Sequence, residues 1–140
     1  MKILLAVDGS EYTKKMLAYL ATHDDLFGAD NDFTALTVQS PLPPRARAAV
    51  GAEAANHYYE EEAAKITGPV DKFLQRAGIQ ARLVHKTGAA GEVIAKLANS
   101  GKFDMVIMGS HGHGALANLV LGSVAVKVLA QCTAPVLLVR

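Results

Sequence analysis

The sequence contains a single cysteine, Cys132, and no apolar run long enough to cross a membrane. One cysteine excludes an internal disulfide framework and suits a reducing compartment, so we expect a cytoplasmic protein. The amino-terminal apolar run stops at Asp8, which favours a first strand over a signal peptide. The sequence therefore predicts neither a membrane protein nor a disulfide-rich secreted protein.

The sequence also lacks an excess of charge of either sign, because 14 Lys and Arg residues accompany 13 Asp and Glu residues. A formal net charge of +1, with no basic run, argues against a nucleic-acid partner, since such partners select markedly basic surfaces. Apolar residues make up 51% of the 140 residues. We therefore expect one folded domain over residues 1–140 with a substantial core.

Several enzyme motifs are absent as well. The sequence has no G-x-x-x-x-G-K-[ST] motif, and therefore no P-loop lysine, and it has no G-x-S-x-G nucleophile elbow. Residues 112–117 imitate the dinucleotide motif GxGxxA, but they follow the fourth predicted strand and no acidic residue comes after Asp104. No dedicated general base is evident, so we do not expect fast catalytic turnover.

Short apolar runs alternate with helical patterns along the chain. The predicted strands comprise residues 2–7, 33–38, 80–86, 105–108 and 136–139. This alternation predicts a parallel sheet with helices on both faces and right-handed crossovers. The third strand is more polar than the others, and we expect it at an edge of the sheet.

Prolines mark two irregular places in this pattern. Residues 41–50 begin with a proline-rich stretch that donates no ladder hydrogen bonds, which predicts a loop carrying Arg45 and Arg47. Residues 52–77 have a helical pattern that Gly68 and Pro69 interrupt. Because proline costs about 3 kcal/mol inside a helix, we expect a kink there or two separate helices.

A glycine-rich turn follows the fourth predicted strand. Gly109 is separated by two residues from Gly112, which is separated by nine residues from Gly122 and Ser123. Glycine lets backbone N–H groups approach an anion closely. A helix opened by Ser123 adds unpaired N–H groups and the positive end of a helix dipole. Together these features predict a phosphate cradle.

This spacing resembles the nucleotide-binding signature of the universal stress protein family, in its ATP-binding branch, and the resemblance extends from Met1 to Arg140. The resemblance implies a three-layer α/β sandwich of the Rossmann-like, adenine nucleotide alpha hydrolase-like type, with a five-stranded parallel sheet in the order 3-2-1-4-5. The first and fourth strands are then neighbours at the topological switch point, where ligands bind. It also implies a nucleotide-dependent regulatory role in stress response, with ATP as the cofactor and Mg²⁺ as the ion that ATP carries. Without an evident general base, we expect slow ATP hydrolysis at most.

The resemblance assigns roles to residues at both strand ends. It implies phosphate contacts in the carboxyl-terminal part of the chain, Asp8 close to the nucleotide, and the backbone of Val38 against adenine. Ala6, Val7 and Ser10 would line the pocket beside Asp8. The full set of candidate binding residues is Ala6, Val7, Asp8, Ser10, Val38, Met108, Gly109, His111, Gly112, Gly122, Ser123 and Val124.

The sequence also allows purely structural interpretations of the same residues. The glycines could serve turns alone, Asp8 could be a local helix cap, and Val38 could be plain strand core. We interpret His111 and His113 as solvated loop residues, and two histidines without further ligands do not predict a zinc site. Arg45 and Arg47 are read as solvated loop charges, with closure over a bound phosphate as the alternative.

Two other functions also remain open, namely a ligand-free dimeric interaction module and a binder of AMP or a cyclic nucleotide. Partner contact is expected in either case. An apolar edge strand invites pairing, and the resemblance suggests a homodimer, so we expect two copies to associate through Val136–Val139.

Overall fold

The computed structural model describes residues 1–114 and 118–140 of the chain. Residues 115–117, which end the imitation of the dinucleotide motif, lie outside the described residues. The strands are β1 (Lys2–Ala6), β2 (Asp32–Gln39), β3 (Ala81–Thr87), β4 (Met105–Gly109) and β5 (Val136–Val139). They form one parallel sheet in the order β3-β2-β1-β4-β5, which confirms the predicted fold class and the edge position of β3.

Helices cover both faces of this sheet. They are α1 (Glu11–Thr22), α2 (Asp24–Phe27), α3 (Pro44–Val50), α4 (Ala52–Arg76), α5 (Ala90–Ser100) and α6 (Ser123–Gln131). Ile3 and Leu5 of β1 point into a core shared with α1 and α4, whereas Leu4 and Ala6 point into a core shared with α5 and α6. Because successive strand side chains alternate between faces, a strand covered on both sides must be apolar throughout. The continuous apolar run of β1 therefore follows from its central position.

The structure corrects two predictions about the proline-containing segments. The loop predicted over residues 41–50 is wrong from residue 44 onward, because α3 covers Pro44–Val50. Proline suits the first position of a helix, since its fixed φ is helical and its missing N–H would have no partner there. The alternative of two helices around Pro69 is also wrong, because α4 runs through it as one helix. Pro69 lies on the exposed side, where water can reach the carbonyl group that it leaves without a donor.

The sheet order brings the ends of two strands that are distant in sequence to the same place. In the parallel pairing of β1 with β4, Ala6 lies beside Met108. The loops that follow these strands therefore start side by side at the carboxyl edge of the sheet, as predicted for the switch point. Within the described residues, no helix is both long and apolar enough to cross a membrane.

Because β1 is buried on both faces, a Leu→Ala substitution should destabilise the protein more in β1 than on the surface. Leu5 is 0% exposed and Leu26 is 57% exposed. Leu5→Ala should lower the free energy of unfolding by about 2 to 5 kcal/mol, because it leaves a cavity in the core. Leu26→Ala should change it by no more than about 0.5 kcal/mol. Urea unfolding followed by circular dichroism measures both, and equal losses would contradict this account of the core.

Candidate functional site

A cavity of about 380 Å³ opens at the carboxyl ends of β1, β2 and β4. Its size falls within the range of small-molecule sites in proteins. The described residues that line it are mostly apolar. With histidine counted as neutral, Asp8 is the one charged residue among them. Of the candidate binding residues, all but Ser10 line this cavity, namely Ala6, Val7, Asp8, Val38, Met108, Gly109, His111, Gly112, Gly122, Ser123 and Val124.

Ser10 is not among the residues that line the cavity, and it caps α1. Its hydroxyl oxygen accepts a hydrogen bond from the backbone N–H of Thr13 at 3.4 Å, which satisfies one of the unpaired donors of the first turn. The expectation that Ser10 lines the pocket is therefore not met. The structure instead makes Ser10 the N-cap of α1.

Asp8 is held by the first turn of α1. Its Oδ1 accepts hydrogen bonds from the backbone N–H of Ser10 at 2.9 Å and from the hydroxyl group of Thr13 at 2.8 Å. The backbone N–H of Asp8 donates to the same Thr13 hydroxyl oxygen at 3.0 Å. One carboxylate oxygen is thus committed to local structure. Oδ2 lies on the other side, 2.9 Å from where a Cβ on Gly112 would stand. Asp8 therefore fixes the helix start and also borders the cavity.

The three glycines of the predicted signature each permit a close approach. A Cβ on Gly109 would stand 2.6 Å from the Cβ of Tyr12, and a Cβ on Gly122 would stand 3.0 Å from the Cα of His111. Both are closer than ordinary contacts between nonbonded carbon atoms. The loop after β4 can therefore pack against α1 and against itself only with glycine at these positions. Packing alone accounts for their identity, so the glycines do not by themselves prove ligand contact.

The N-cap of helix α6 lies one residue earlier than predicted. Gly122 is the N-cap and Ser123 is the first helical residue, and no side chain caps this end. The N–H of Gly122 donates to the carbonyl oxygen of Ser110 at 2.8 Å. Ser123, Val124 and Ala125 follow, and all three line the cavity. The first N–H groups of a helix have no intrahelical acceptor, so this wall offers donors and a positive dipole end to a ligand.

Both loop histidines make hydrogen bonds through their rings, although His113 is exposed, as expected for a solvated loop residue, and His111 is half-buried. The Nε2–H of His111 donates to the carbonyl oxygen of Leu119 at 2.9 Å, and its Nδ1 accepts from the Ser110 hydroxyl group at 2.8 Å. The Nε2–H of His113 donates to the carbonyl oxygen of Asp8 at 2.7 Å. The rings therefore tie the glycine-rich loop together and join it to the end of β1.

The whole chain matches the profile of the Universal stress protein family, over residues 1–140. The chain belongs to the universal stress protein family. Universal stress protein Slr1230 of Synechocystis is 31% identical over 140 residues, which cover 99% of this chain but 42% of that longer protein. The Thermus aquaticus universal stress protein encoded in the QAH/OAS sulfhydrylase 3′ region is 32% identical over 138 residues, covering 99% of this chain and 97% of the relative.

Solved structures of universal stress proteins have the same fold. The structure of MJ0577 from Methanocaldococcus jannaschii has a TM-score of 0.79 and 30% identity, covering 99% of this chain and 94% of that one. Three more distant neighbours carry nucleotides. The Archaeoglobus fulgidus protein in complex with dAMP has a TM-score of 0.68 and 19% identity, covering 100% of this chain and 98% of that one. An Arabidopsis thaliana protein with AMP bound has a TM-score of 0.69 and 18% identity, covering 99% of this chain and 90% of that one. A universal stress protein in complex with cAMP has a TM-score of 0.61 and 22% identity, covering 100% of this chain and 97% of that one.

The candidate set predicted from the sequence omits several residues that line the cavity of this universal stress protein. They are Thr13, Leu36, Ala90, Ile94, His113, Gly114, Leu119 and Ala125. Strand periodicity could have identified Leu36, because it shares a sheet face with Val38. Thr13 lies three residues after the cap Ser10, and nothing in that spacing assigns its hydroxyl group to a binding site. Ala90 and Ile94 are separated by one helical turn, and nothing in their chemistry indicates a site.

The contacts of His111 predict that its ring stabilises the loop after β4. His111→Ala removes the hydrogen bonds to Leu119 and Ser110, so amide hydrogens in residues 118–122 should exchange faster with solvent. His57→Ala, at an exposed position of α4, is the matched control and should leave that exchange unchanged. Hydrogen exchange with mass spectrometry measures both. Unchanged protection in the His111→Ala variant would show that the ring does not support the loop.

Proposed function

We propose that this universal stress protein binds an adenine nucleotide, specifically ATP with Mg²⁺, and acts as a nucleotide-dependent stress-response protein of the cytoplasm. The observation that carries the proposal is one shared cavity. It is bordered by the uncapped start of α6, by Gly109, Gly112 and Gly122, and by Asp8 at the end of β1. A helix start and a glycine-rich loop suit phosphate groups, while the apolar remainder suits a base. A single domain over residues 1–140 holds all of these parts.

The sheet order gives the ligand a direction. Val38 lies near the end of β2, Asp8 follows β1, and the glycine-rich loop follows β4. These strands lie side by side as β2-β1-β4. A nucleotide has the same sequence of parts, because the sugar joins the base to the phosphates. With the phosphates at Gly122 and the start of α6, the base lies toward Val38 and the sugar lies opposite Asp8. An anionic phosphate opposite Asp8 would instead be repelled.

The charge of the cavity bears on the role of Mg²⁺. Among the described residues that line the cavity there is no lysine or arginine, and Arg45 and Arg47 of α3 do not line it. Backbone N–H groups and a helix dipole provide only partial positive charge. A triphosphate carries several negative charges, so Mg²⁺ on the phosphates would supply the compensation. No group of three or more potential metal ligands occurs among the described residues, so the ion would be held chiefly by the nucleotide.

Binding rather than rapid turnover is the proposed activity. Asp8 lies opposite the sugar in this placement and not beside the phosphates, and both nitrogens of His111 are engaged by loop groups. Neither arrangement offers an evident base for activating water. The distant neighbours that carry AMP, dAMP and cAMP support an adenine nucleotide in general, so a monophosphate or cyclic nucleotide is the second candidate ligand.

The proposal predicts that purified protein carries or binds adenine nucleotides. Small molecules released by denaturation should include an adenine nucleotide by mass spectrometry, and titration calorimetry should detect binding of ATP with Mg²⁺. Val124→Glu should weaken this binding at least about tenfold, because it places a carboxylate in the wall beside the phosphates.

Val126→Glu is the matched control for this variant. It makes the same charge change on the same helix, but Val126 is 52% exposed and does not line the cavity. Its affinity should stay near that of the unmodified protein. No released nucleotide, together with no heat from ATP, ADP, AMP or cyclic AMP, would contradict nucleotide binding and favour the ligand-free interaction module.

We also propose that the protein is a homodimer paired through β5. The two edges of the sheet differ in character. The β3 edge carries exposed Arg82, His85 and Lys86, which discourage strand pairing, whereas Val136–Val139 contains no charge. The outer backbone groups of β5 pair with no other strand of the described chain. A second copy would satisfy those groups and cover the apolar side chains.

This edge asymmetry predicts where a charge would disrupt association. Leu137→Lys on β5 should convert the dimer to monomer at micromolar concentration, because a lysine at the edge opposes strand pairing. Leu83→Lys makes the same change on β3, where Leu83 is 41% exposed, and should leave the dimer intact. Analytical ultracentrifugation measures both, with circular dichroism as a check of folding. A monomeric unmodified protein would refute the dimer, and dissociation by Leu83→Lys alone would move the interface to β3.

A further inference from the structure

Thr13 lies in the wall of the cavity with its side chain almost fully buried. The residue is 4% exposed and belongs to the first turn of α1. Its hydroxyl group accepts a hydrogen bond from the backbone N–H of Asp8 and donates one to Oδ1 of the same residue. A hydroxyl group is needed for this pair of bonds, because it both accepts and donates. Valine has nearly the same shape and does neither.

These bonds limit the conformations open to the Asp8 carboxylate. Oδ1 receives donors from both Thr13 and Ser10, so rotation of the side chain would break two hydrogen bonds at once. Oδ2 is then directed to the side of Gly112, whose position leaves no room for a Cβ beside this oxygen. A carboxylate oxygen only accepts hydrogen bonds, so it suits a donor on the ligand. In a nucleotide lying along β2-β1-β4, the donors opposite Asp8 are the ribose hydroxyl groups.

We propose that Thr13 is a positioning residue that orients the Asp8 carboxylate toward the hydroxyl groups of the bound sugar. The proposal rests on the proposed nucleotide function and adds a determinant of ribose recognition to it. Thr13 acts through Asp8 and needs no contact with the ligand itself. Hydrogen bonds to a charged acceptor are stronger than neutral ones, so correct orientation should contribute measurably to affinity.

A purely structural role of Thr13 makes a different prediction. If the hydroxyl group only stabilises the start of α1, its loss should weaken binding of every nucleotide to the same extent. If it orients Asp8 toward the sugar, the loss should depend on whether the ligand has ribose hydroxyl groups. Comparing AMP with its analogue that lacks both ribose hydroxyl groups separates the two roles.

The experiment measures calorimetric affinities of both ligands for the full chain and for three variants. Thr13→Val removes the hydroxyl group and keeps the shape. Thr13→Ser restores a hydroxyl group, and Thr22→Val removes a hydroxyl group at the far end of the same helix, where it bonds to the carbonyl oxygen of Ala18 at 3.0 Å. Thermal unfolding of each variant shows that it is folded at the temperature of the titration.

We expect Thr13→Val to weaken AMP about tenfold and to change affinity for the dideoxy analogue by less than about twofold. Thr13→Ser should recover most of the AMP affinity, and Thr22→Val should match the unmodified protein. Equal losses for both ligands, or no loss for AMP, would overturn the role of Thr13 while leaving nucleotide binding in place. Absence of AMP and ATP binding by the unmodified protein would instead refute the nucleotide function on which the role depends.

Discussion

The parallel pairing of β1 with β4 is the constraint on which the site depends. It places Ala6 beside Met108, and the loops that follow bring Oδ2 of Asp8 to 2.9 Å from where a Cβ on Gly112 would stand, although the two residues are far apart in the chain. The helices that follow these strands pack on opposite faces, α1 on one and α6 on the other. Their connecting loops therefore diverge and leave a crevice between them. The cavity is a consequence of strand order before any side chain contributes chemistry.

Close packing then gives the crevice a definite shape. Gly109 lies against Tyr12 of α1, the N–H of Gly122 is bonded to Ser110, and the His113 ring is bonded to the carbonyl group of Asp8. The groups that border the cavity are thus held by protein contacts and need no ligand to bring them together. Such preorganisation reduces the entropy lost on binding. Because the glycines make these packing contacts, substituting them would change both the stability of the loop and the affinity for a ligand. Substitutions on the lining and exposed sides of α6 distinguish the two effects better.

The sequence was informative wherever one residue property dominates the structure. Buried parallel strands must be apolar on both faces, so β1, β4 and β5 were recognisable, and the spacing of Gly109, Gly112 and Gly122 located the cavity. Local sequence failed where no burial pattern marks an element or where a partner residue decides. Pro44 can end a strand or begin a helix, and α3 has no buried residue whose spacing would have indicated the helix. The roles of Thr13 and His111 depend on partners that a linear pattern does not identify, although the partners lie within eight residues.

The polarity of the cavity restricts what function it can serve. A carboxylate borders it at the end of β1, and the uncapped start of α6 borders it beyond β4, with apolar side chains between them and toward β2. A ligand that matches this arrangement has an anionic end, a hydrogen-bond donor near its middle and a flat apolar end. A nucleotide has these groups in that order, whereas a bare phosphate would leave Asp8 and the apolar wall without partners. A surface used only for dimer formation would need neither the polarity nor the cavity. The arrangement of charge along β2-β1-β4 is therefore the physical reason to prefer a nucleotide over a ligand-free module.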